Sequence, residues 1–464
     1  MTPNDVGNLT IQFPACDNTS EAPRRLSPQR RVMSPDSPAE RAATQDERDL
    51  LSYQDRIERP TTVKIPEFKR EERLRHVIFS RQFSVDLLED LAATADHIRG
   101  LSKSRAGQDF LINLLHHKRA MLYFTQPSTR TFLSFMAACQ ILGITCNEVR
   151  DPSTSSETKG ETRFDSIRMF SSYFDMIIMR SPAARLAEAC AYLMNDLSVR
   201  GSRSVPIVNA GSGADQHPTQ ALLDIYTLQR TFQFSSSKDS PVGNRFEEIR
   251  RQYPALGKGL AGKTYGFCGD IGRGRTVRSL AELLAGYEGV TFVFVSPQHP
   301  TLVLRDDLRQ RLLGRGVRFF EVASFEEHID GRPVIEQVDA LYMTRIQKEH
   351  NNPADEASFA AIDFERYKLS RALVSRMKSY APILHPFPRD QHFGEIPQEV
   401  DEDPRAMYFR QARNGMWIRA ALLAHIFNAD HQISRFFHEQ FSQWGESPER
   451  RSIDRTLPHL APGQ

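Results

Sequence analysis

The chain has 464 residues, 40% of them hydrophobic and 25% charged, with a formal net charge of +2. That is an ordinary water-soluble mixture with room for two or three cored domains, and so small a charge excess argues against nucleic acid as the main ligand. The five cysteines (Cys16, Cys139, Cys146, Cys190 and Cys268) form no CxxC pair, so neither a disulfide framework nor a cysteine zinc site is indicated and a reducing, cytoplasmic setting is expected.

Residues 1–70 are rich in Pro, Ser, Arg and acidic residues and poor in apolar periodicity, the composition of a disordered extension. Their start lacks the basic-then-apolar order of a secretory signal, and no run of the chain approaches the roughly 18 apolar residues of a membrane span. The basic cluster Arg24, Arg25, Arg30 and Arg31 reads as part of a solvated arm. Order is expected from near Arg75. Ser84 can cap a helix that places Leu87, Leu88, Leu91, Ala95 and Ile98 on one face. A strand over 120–124 turns at Gln126-Pro127 into a helix from Ser128 to Leu142. Residues 176–179 and 206–209 read as buried strands, and a helix spans 218–229. After a Ser-rich, charged stretch at 232–258, strands are expected at 263–268, 290–295, 317–321, 340–343 and 383–384. Helices are expected at 275–286, 304–314 and about 414–428. Repeated strand–helix units predict an α/β fold with two doubly wound parallel-sheet domains, whose ligands sit at the carboxyl ends of the strands. The expected division is 71–225, 226–413 and a C-terminal tail at 431–464, with surface insertions at 194–205 and 232–258.

Several polar segments fall at those strand ends. Ser128-Thr129-Arg130-Thr131 sits where a strand becomes a helix. The free N–H groups and positive dipole end there favour an anion. The bland alternative for the Ser and Thr is simple capping. Lys159-Gly160-Glu161 follows a polar loop containing Ser155. Arg180 ends an apolar strand. His217-Pro218-Thr219-Gln220 and Arg275 open helices, and Arg345 and His385-Pro386-Phe387-Pro388-Arg389 follow further strands. A single arginine is more often a surface ion pair of little consequence. The whole set fits a substrate carrying several negative charges.

These segments resemble the aspartate and ornithine carbamoyltransferase family. The matching pieces are Phe124 to Thr131, Lys159 to Thr162, Met179-Arg180, Asn209 to Gly211, His217 to Gln220, Gly269-Asp270 with Gly274 to Thr276, Met343 to Gln347, and His385 to Arg389. They occur in family order over residues 75–430. Thr344-Arg345-Ile346-Gln347 and His385-Pro386-Phe387-Pro388 are similar to the aspartate branch rather than the ornithine branch. The resemblance implies transfer of the carbamoyl group of carbamoyl phosphate to L-aspartate, an early step of pyrimidine biosynthesis, without cofactor or metal. It implies a carbamoyl-phosphate domain at 71–225 completed by a last helix at about 414–430 that crosses back, an aspartate domain at 226–413, and an active site in the cleft between them.

The roles it implies are as follows. Ser128, Thr129, Arg130, Thr131 and Arg180 hold the phosphate. Thr131, Arg180 and His217 face the carbonyl oxygen. Gln220 and the carbonyls of Pro386 and Phe387 take the carbamoyl NH2. Arg275 binds the α-carboxylate of aspartate, and Arg345 and Gln347 bind its β-carboxylate. Ser155 and Lys159 come from a neighbouring subunit and complete both substrate sites, which makes the unit a homotrimer. A regulatory or pathway-partner chain is compatible with this.

The chain departs from the family at Gln126, where Glu is usual, and at Phe132 and Met136, where Arg and Glu are usual. Ser181 follows Arg180 in place of His. The Phe132–Met136 change reads as an ion pair replaced by packed apolar groups, and Gln126 as a weakening of charged contacts across the cleft. Three rival readings remain. Gly269 to Thr276 nearly matches a phosphate-binding loop, with Arg in place of its Lys. An ornithine or other amino-acid carbamoyltransferase and an inactive scaffold of the same fold are the others. The intact arginines speak against a scaffold.

Overall fold

The computed structural model describes residues 44–151, 156–213, 216–232, 251–254, 256, 259–347, 356–390 and 394–442. In chain order they open with three short helices, α1 (Gln45–Leu51), α2 (Gln54–Glu58) and α3 (Thr61–Lys64), and a two-residue hairpin, β1 (Lys69–Arg70) with β2 (Arg73–Leu74).

The first large sheet is parallel and four-stranded. Its order is β4 (Thr145–Val149), β3 (Arg119–Phe124), β5 (Met176–Arg180), β6 (Ile207–Asn209). The central strands RAMLYF and MIIMR are apolar almost throughout because helices cover both faces of a parallel sheet. The connecting helices are α4 (Val85–Leu101), α5 (Arg105–Leu114), α6 (Thr129–Ile141), α7 (Arg163–Tyr173), α8 (Leu186–Val199) and α9 (Pro218–Phe232). Hydroxyls of Ser84, Ser104 and Thr162 cap α4, α5 and α7 by accepting from backbone N–H groups.

The second sheet is also parallel, five-stranded, in the order β13 (Ile383–Leu384), β12 (Ala340–Met343), β7 (Thr264–Cys268), β8 (Thr291–Val295), β9 (Arg318–Val322). A small hairpin, β10 (His328–Ile329) with β11 (Arg332–Pro333), lies outside it. Its helices include α10 (Arg275–Leu284) and α11 (Asp306–Gly314). The long α-helix Tyr408–Ile426 leaves this sheet and packs on α4, α6 and α9 of the first domain. One apolar cluster therefore runs from Leu122 and Phe135 through Leu223 and Ile418 to Phe267 and Tyr342.

The strands and helices expected around the polar motifs form within three residues of their expected limits, apart from the long last helix, which begins at Tyr408. Two expectations need correction. The extension expected to reach residue 70 is helical from Gln45. Ile57 and Phe68 are buried against α8, and Lys64 is paired with Glu188 across 2.7 Å. Its helices are too short to carry a visible apolar period, and their order comes from tertiary contact. The tail expected from 431 begins with the helix Asp430–Ser442, whose Ile433 and Phe437 join the first-domain core. Within the stretch 194–205, Met194, Leu197 and Val205 are buried where the chain leaves α8 and approaches β6, and residues 198–203 are exposed. Most of 232–258 lies outside the described residues. Phe132 packs edge-on against Phe124 at 5.4 Å and beneath the Arg150 guanidinium at 4.7 Å, so its apolar partner is a ring on β3. No helix of the described residues is long and apolar enough to cross a membrane.

Candidate active site

The carboxyl ends of β3, β5 and β6 meet the N-termini of α6 and α9. Ser128 is the N-cap of α6, yet its hydroxyl makes no cap hydrogen bond. The hydroxyl and the first N–H groups of the helix are thus directed at the same space. Thr129 and Arg130 are exposed in the first turn, and Thr131 is buried beneath them.

Arg180, the last residue of β5, is 9% exposed. Its Nη1 donates to the Ala210 carbonyl at 3.2 Å, and its Nε is buried without a partner. Burial, then the charges of Arg275, Arg419 and Arg130, push its guanidinium down to about 9. It remains protonated at neutral pH. Two buried arginines, Arg180 and Arg419, with Arg275 and Arg130 close by, are costly to hold together unless an anion offsets them.

His217 lies among the same cations. Burial and the charges of Arg180, Arg275 and Arg419 hold its pKa well below the ordinary imidazole value. The ring is therefore neutral, and its buried Nδ1 has no partner. A neutral imidazole placed among arginines can give one N–H to a developing oxyanion without adding a titrating charge. Two features fix the ring. Its backbone N–H donates to Ser279 Oγ at 3.1 Å, and one edge lies flat on Gly211. A Cβ built at Gly211 would be 2.5 Å from His217 Cδ2, and the backbone there has φ +94°. Asn209 shapes this turn by accepting from the N–H groups of Gly211 and Ser212 at 2.9 and 3.0 Å. Gly211→Ala is accordingly expected to displace the ring and lower kcat by about 30-fold with a normal far-UV spectrum. Steady-state turnover measures this, and a kcat within a factor of two of wild type would show that the ring position is not critical.

The second domain supplies the opposite wall. Asp270 is fully buried. It accepts from the backbone N–H of Arg273 at 3.1 Å and of Gln347 at 3.2 Å, and its own N–H donates to Thr344 Oγ1 at 3.1 Å. This ties the turn before α10 to the end of β12, so Arg275, Arg345 and Gln347 share one corner. Arg275 Nη1 donates across to the Gly213 carbonyl. The same bonds speak against the phosphate-loop reading. Within Gly269 to Arg273 every N–H is engaged inside the fold, with Val295 O, Thr344 Oγ1, Gly269 O, Leu302 O and Asp270 Oδ1 as acceptors. None is left to cradle a phosphate.

The 385–389 loop closes the site. His385 Nε2 pairs with Glu395 Oε1 at 2.8 Å, while its Nδ1 accepts from the Phe387 N–H at 2.8 Å. Phe387 has φ +56°, and its ring stands 5.4 Å from the Arg130 guanidinium. Gln126 donates its N–H to the Arg180 carbonyl at 3.1 Å, and its Oε1 is buried without a partner.

The structure thus brings Arg180 into electrostatic reach of Arg130, His217 and Arg275. Lys159 is exposed at the end of a 3-10 turn, Ser156–Lys159, while Glu157 of that turn accepts from the Tyr123 hydroxyl at 2.6 Å. Ser155 lies outside the described residues. Two buried charges escaped the sequence reading. Arg419, 2% exposed, donates to Ser134 Oγ at 2.6 Å, and its Nε and Nη2 have no partner. Asp224, also buried, hydrogen-bonds Gln220. The available signal was a charge inside the apolar run of each helix.

Comparison with known proteins gives concordant results. A family model described as aspartate/ornithine carbamoyltransferase, carbamoyl-P binding domain, matches residues 75–230, and its Asp/Orn binding domain counterpart matches 261–426. The chain is 36% identical over 366 residues to a chloroplastic aspartate carbamoyltransferase of Oryza sativa, covering 76% of this chain and 84% of that one. It is 36% identical over 354 residues to an aspartate carbamoyltransferase catalytic subunit of Chromobacterium violaceum, covering 76% and 98%. Among solved structures, aspartate transcarbamoylase from Trypanosoma cruzi in complex with carbamoyl phosphate and aspartate superposes with a TM-score of 0.61 at 31% identity, covering 76% and 96%. The catalytic subunit of M. jannaschii aspartate transcarbamoylase gives 0.60 at 31%, covering 76% and 98%.

Proposed function

The chain belongs to the aspartate/ornithine carbamoyltransferase family, and from that premise we infer that it transfers the carbamoyl group of carbamoyl phosphate to L-aspartate, giving N-carbamoyl-L-aspartate and phosphate. The observation that carries this reading is the cluster of Arg180, Arg275 and Arg419 around a neutral His217, with Arg130 close to Arg180.

Ser128, Thr129, Arg130, Thr131 and Arg180 hold the phosphate at the α6 N-terminus. The aspartate amine, as the free base, attacks the carbonyl carbon. Thr131, Arg180 and His217 face the oxygen on which negative charge then builds. Gln220 and the carbonyls of Pro386 and Phe387 accept from the carbamoyl NH2. As the tetrahedral centre collapses, the bond to the phosphate oxygen breaks and the departing phosphate takes the amine proton. No covalent enzyme intermediate is formed, and the acceleration comes from positioning and fixed charge. Arg275 pairs with the α-carboxylate of aspartate, and Arg345 and Gln347 with the β-carboxylate. The bidentate fork of arginine suits both.

Lys159 stands exposed at the end of the turn Ser156–Lys159, four residues after Ser155 in the sequence. This supports the reading that both act in a neighbouring subunit's site and that the working unit is a homotrimer. The described cysteines Cys139, Cys146, Cys190 and Cys268 are all free thiols, which supports a reducing, cytoplasmic setting. The product places the reaction early in pyrimidine synthesis.

The test is carbamoyl transfer to aspartate, ornithine and putrescine side by side, on wild type and on Arg345→Ala. Turnover with aspartate alone is expected, with its KM raised about 100-fold in the variant. Turnover with another amine, or an Arg345→Ala enzyme with unchanged KM, would overturn the assignment of substrate to Arg345.

A further inference from the structure

Asp224 lies one helical turn after Gln220 on α9 and is fully buried. Three side chains from three elements donate to it. Gln220 Nε2 reaches Oδ1 at 2.9 Å, Gln411 Nε2 of the helix Tyr408–Ile426 reaches the same Oδ1 at 2.6 Å, and the Tyr342 hydroxyl of β12 reaches Oδ2 at 2.9 Å. Burial pushes the carboxyl up to about 7, against the pull of those donors and of Arg419. Its protonation state does not alter the geometry. A proton on the acid would sit on Oδ2, facing a hydroxyl that can also accept. Oδ1 stays an acceptor for both amides.

That constraint decides what each amide shows on its other side. Gln220 must turn its NH2 to Asp224, so its Oε1 is the atom left for a ligand, and it can only accept. Gln411 is held in the same sense: its Oε1 accepts from the His385 N–H at 2.9 Å. His385 in turn accepts the Phe387 N–H through Nδ1. One carboxylate therefore orients both a side-chain acceptor and the loop whose carbonyls face the same space. An amide free to flip would present NH2 as readily as oxygen, and the pocket would lose its preference for a donor.

We propose that Asp224 is a positioning residue that makes this pocket selective for a carbamoyl NH2, by locking Gln220 and, through Gln411, the 385–387 loop as acceptors. It rests on the assignment of Gln220, Pro386 and Phe387 to the carbamoyl group under the proposed function. A group without N–H donors, such as the methyl of acetyl phosphate, gains nothing from the lock.

The test compares carbamoyl phosphate as substrate with acetyl phosphate as competitive inhibitor, on wild type and Asp224→Leu. Leucine is close to the carboxylate in size and offers no acceptor, so nothing at this position dictates the amide orientation. The expected result is a loss of about 30-fold in kcat/KM for carbamoyl phosphate with less than about a threefold change in the acetyl phosphate inhibition constant. Parallel losses for both ligands, or none for carbamoyl phosphate, overturn the inference. Gln411→Leu, which keeps the Asp224–Gln220 pair and releases the loop, gives an independent reading should Asp224→Leu not fold. A selective loss of about tenfold is expected there, and an unchanged ratio of the two ligands again overturns it. An active wild type with parallel losses removes this inference alone. A wild type that transfers no carbamoyl group to aspartate removes the proposed function and this inference with it.

Discussion

Replacing Arg180 with methionine is expected to lower kcat/KM for carbamoyl phosphate by roughly 1,000-fold while the fold is retained. Arg180 is placed to serve both phosphate and carbonyl oxygen, so its loss removes charge stabilisation that grows in the transition state. Methionine keeps the stem volume, and only the Ala210 carbonyl loses a partner. The substitution also reports on His217. Arg180 is the largest of the charges that depress that imidazole, so the His217 pKa should rise in the variant, observable as a histidine signal titrating closer to the ordinary range by NMR. Kinetics within tenfold of wild type, or an unmoved His217, would show that Arg180 does not face the reaction.

The same histidine bears on stability. His217 and His76 are both buried and both have folded pKa values below the ordinary 6.5, His76 at about 3. Below pH 6.5 the unfolded chain takes up protons that the folded chain refuses. Their contribution is therefore complete above the unfolded value and is lost as pH falls below it.

Much of this site could be read in the chain because its chemistry sits at strand ends. Arg180 directly follows four apolar residues, and Arg345 follows the apolar β12 with one threonine between, so the periodicity that locates the strand also locates the charge. The hydroxyl run at Ser128 stood out because it interrupts an apolar strand and precedes an amphipathic helix. Asp224 and Arg419 were harder to read for the opposite reason. A polar residue four positions from another on a helix is the usual mark of a solvated face. Only the packing of the helix Tyr408–Ile426 on α6 and α9 turns both inward. The strand Thr145–Val149 was missed because it is the partly exposed edge of its sheet and carries no apolar run. The phosphate-loop resemblance at Gly269 to Thr276 failed because spacing cannot tell a glycine that admits a ligand from one that admits another backbone. Gly272 is of the second kind: a Cβ there would be 2.3 Å from the Thr301 carbonyl.

The N-terminal helices carry the remaining large effect. Lys64 and Glu188, 4% and 6% exposed, pair at 2.7 Å, and Lys64 also donates to the Ile57 carbonyl at 2.8 Å. Removing one partner leaves a buried charge uncompensated, so Glu188→Ala is expected to cost about 3–5 kcal/mol for the docking of residues 45–68. The double change Lys64→Met with Glu188→Leu should recover most of it, because well-packed apolar groups replace a buried ion pair at little cost. The segment contributes none of the catalytic side chains, so the loss should appear as faster proteolysis near Arg56 and Arg59 and a lower melting temperature, with kcat little changed. Arg56 adds to the same contact, with its guanidinium 4.1 Å from the Tyr192 ring and 2.7 Å from Asp196. If Glu188→Ala melts and resists protease as wild type does, the segment is held by its other contacts, at Ile57, Phe68 and Arg56, without need of the pair. If it is destabilised and the double variant is not rescued, the pair supplies a geometry that packing cannot replace.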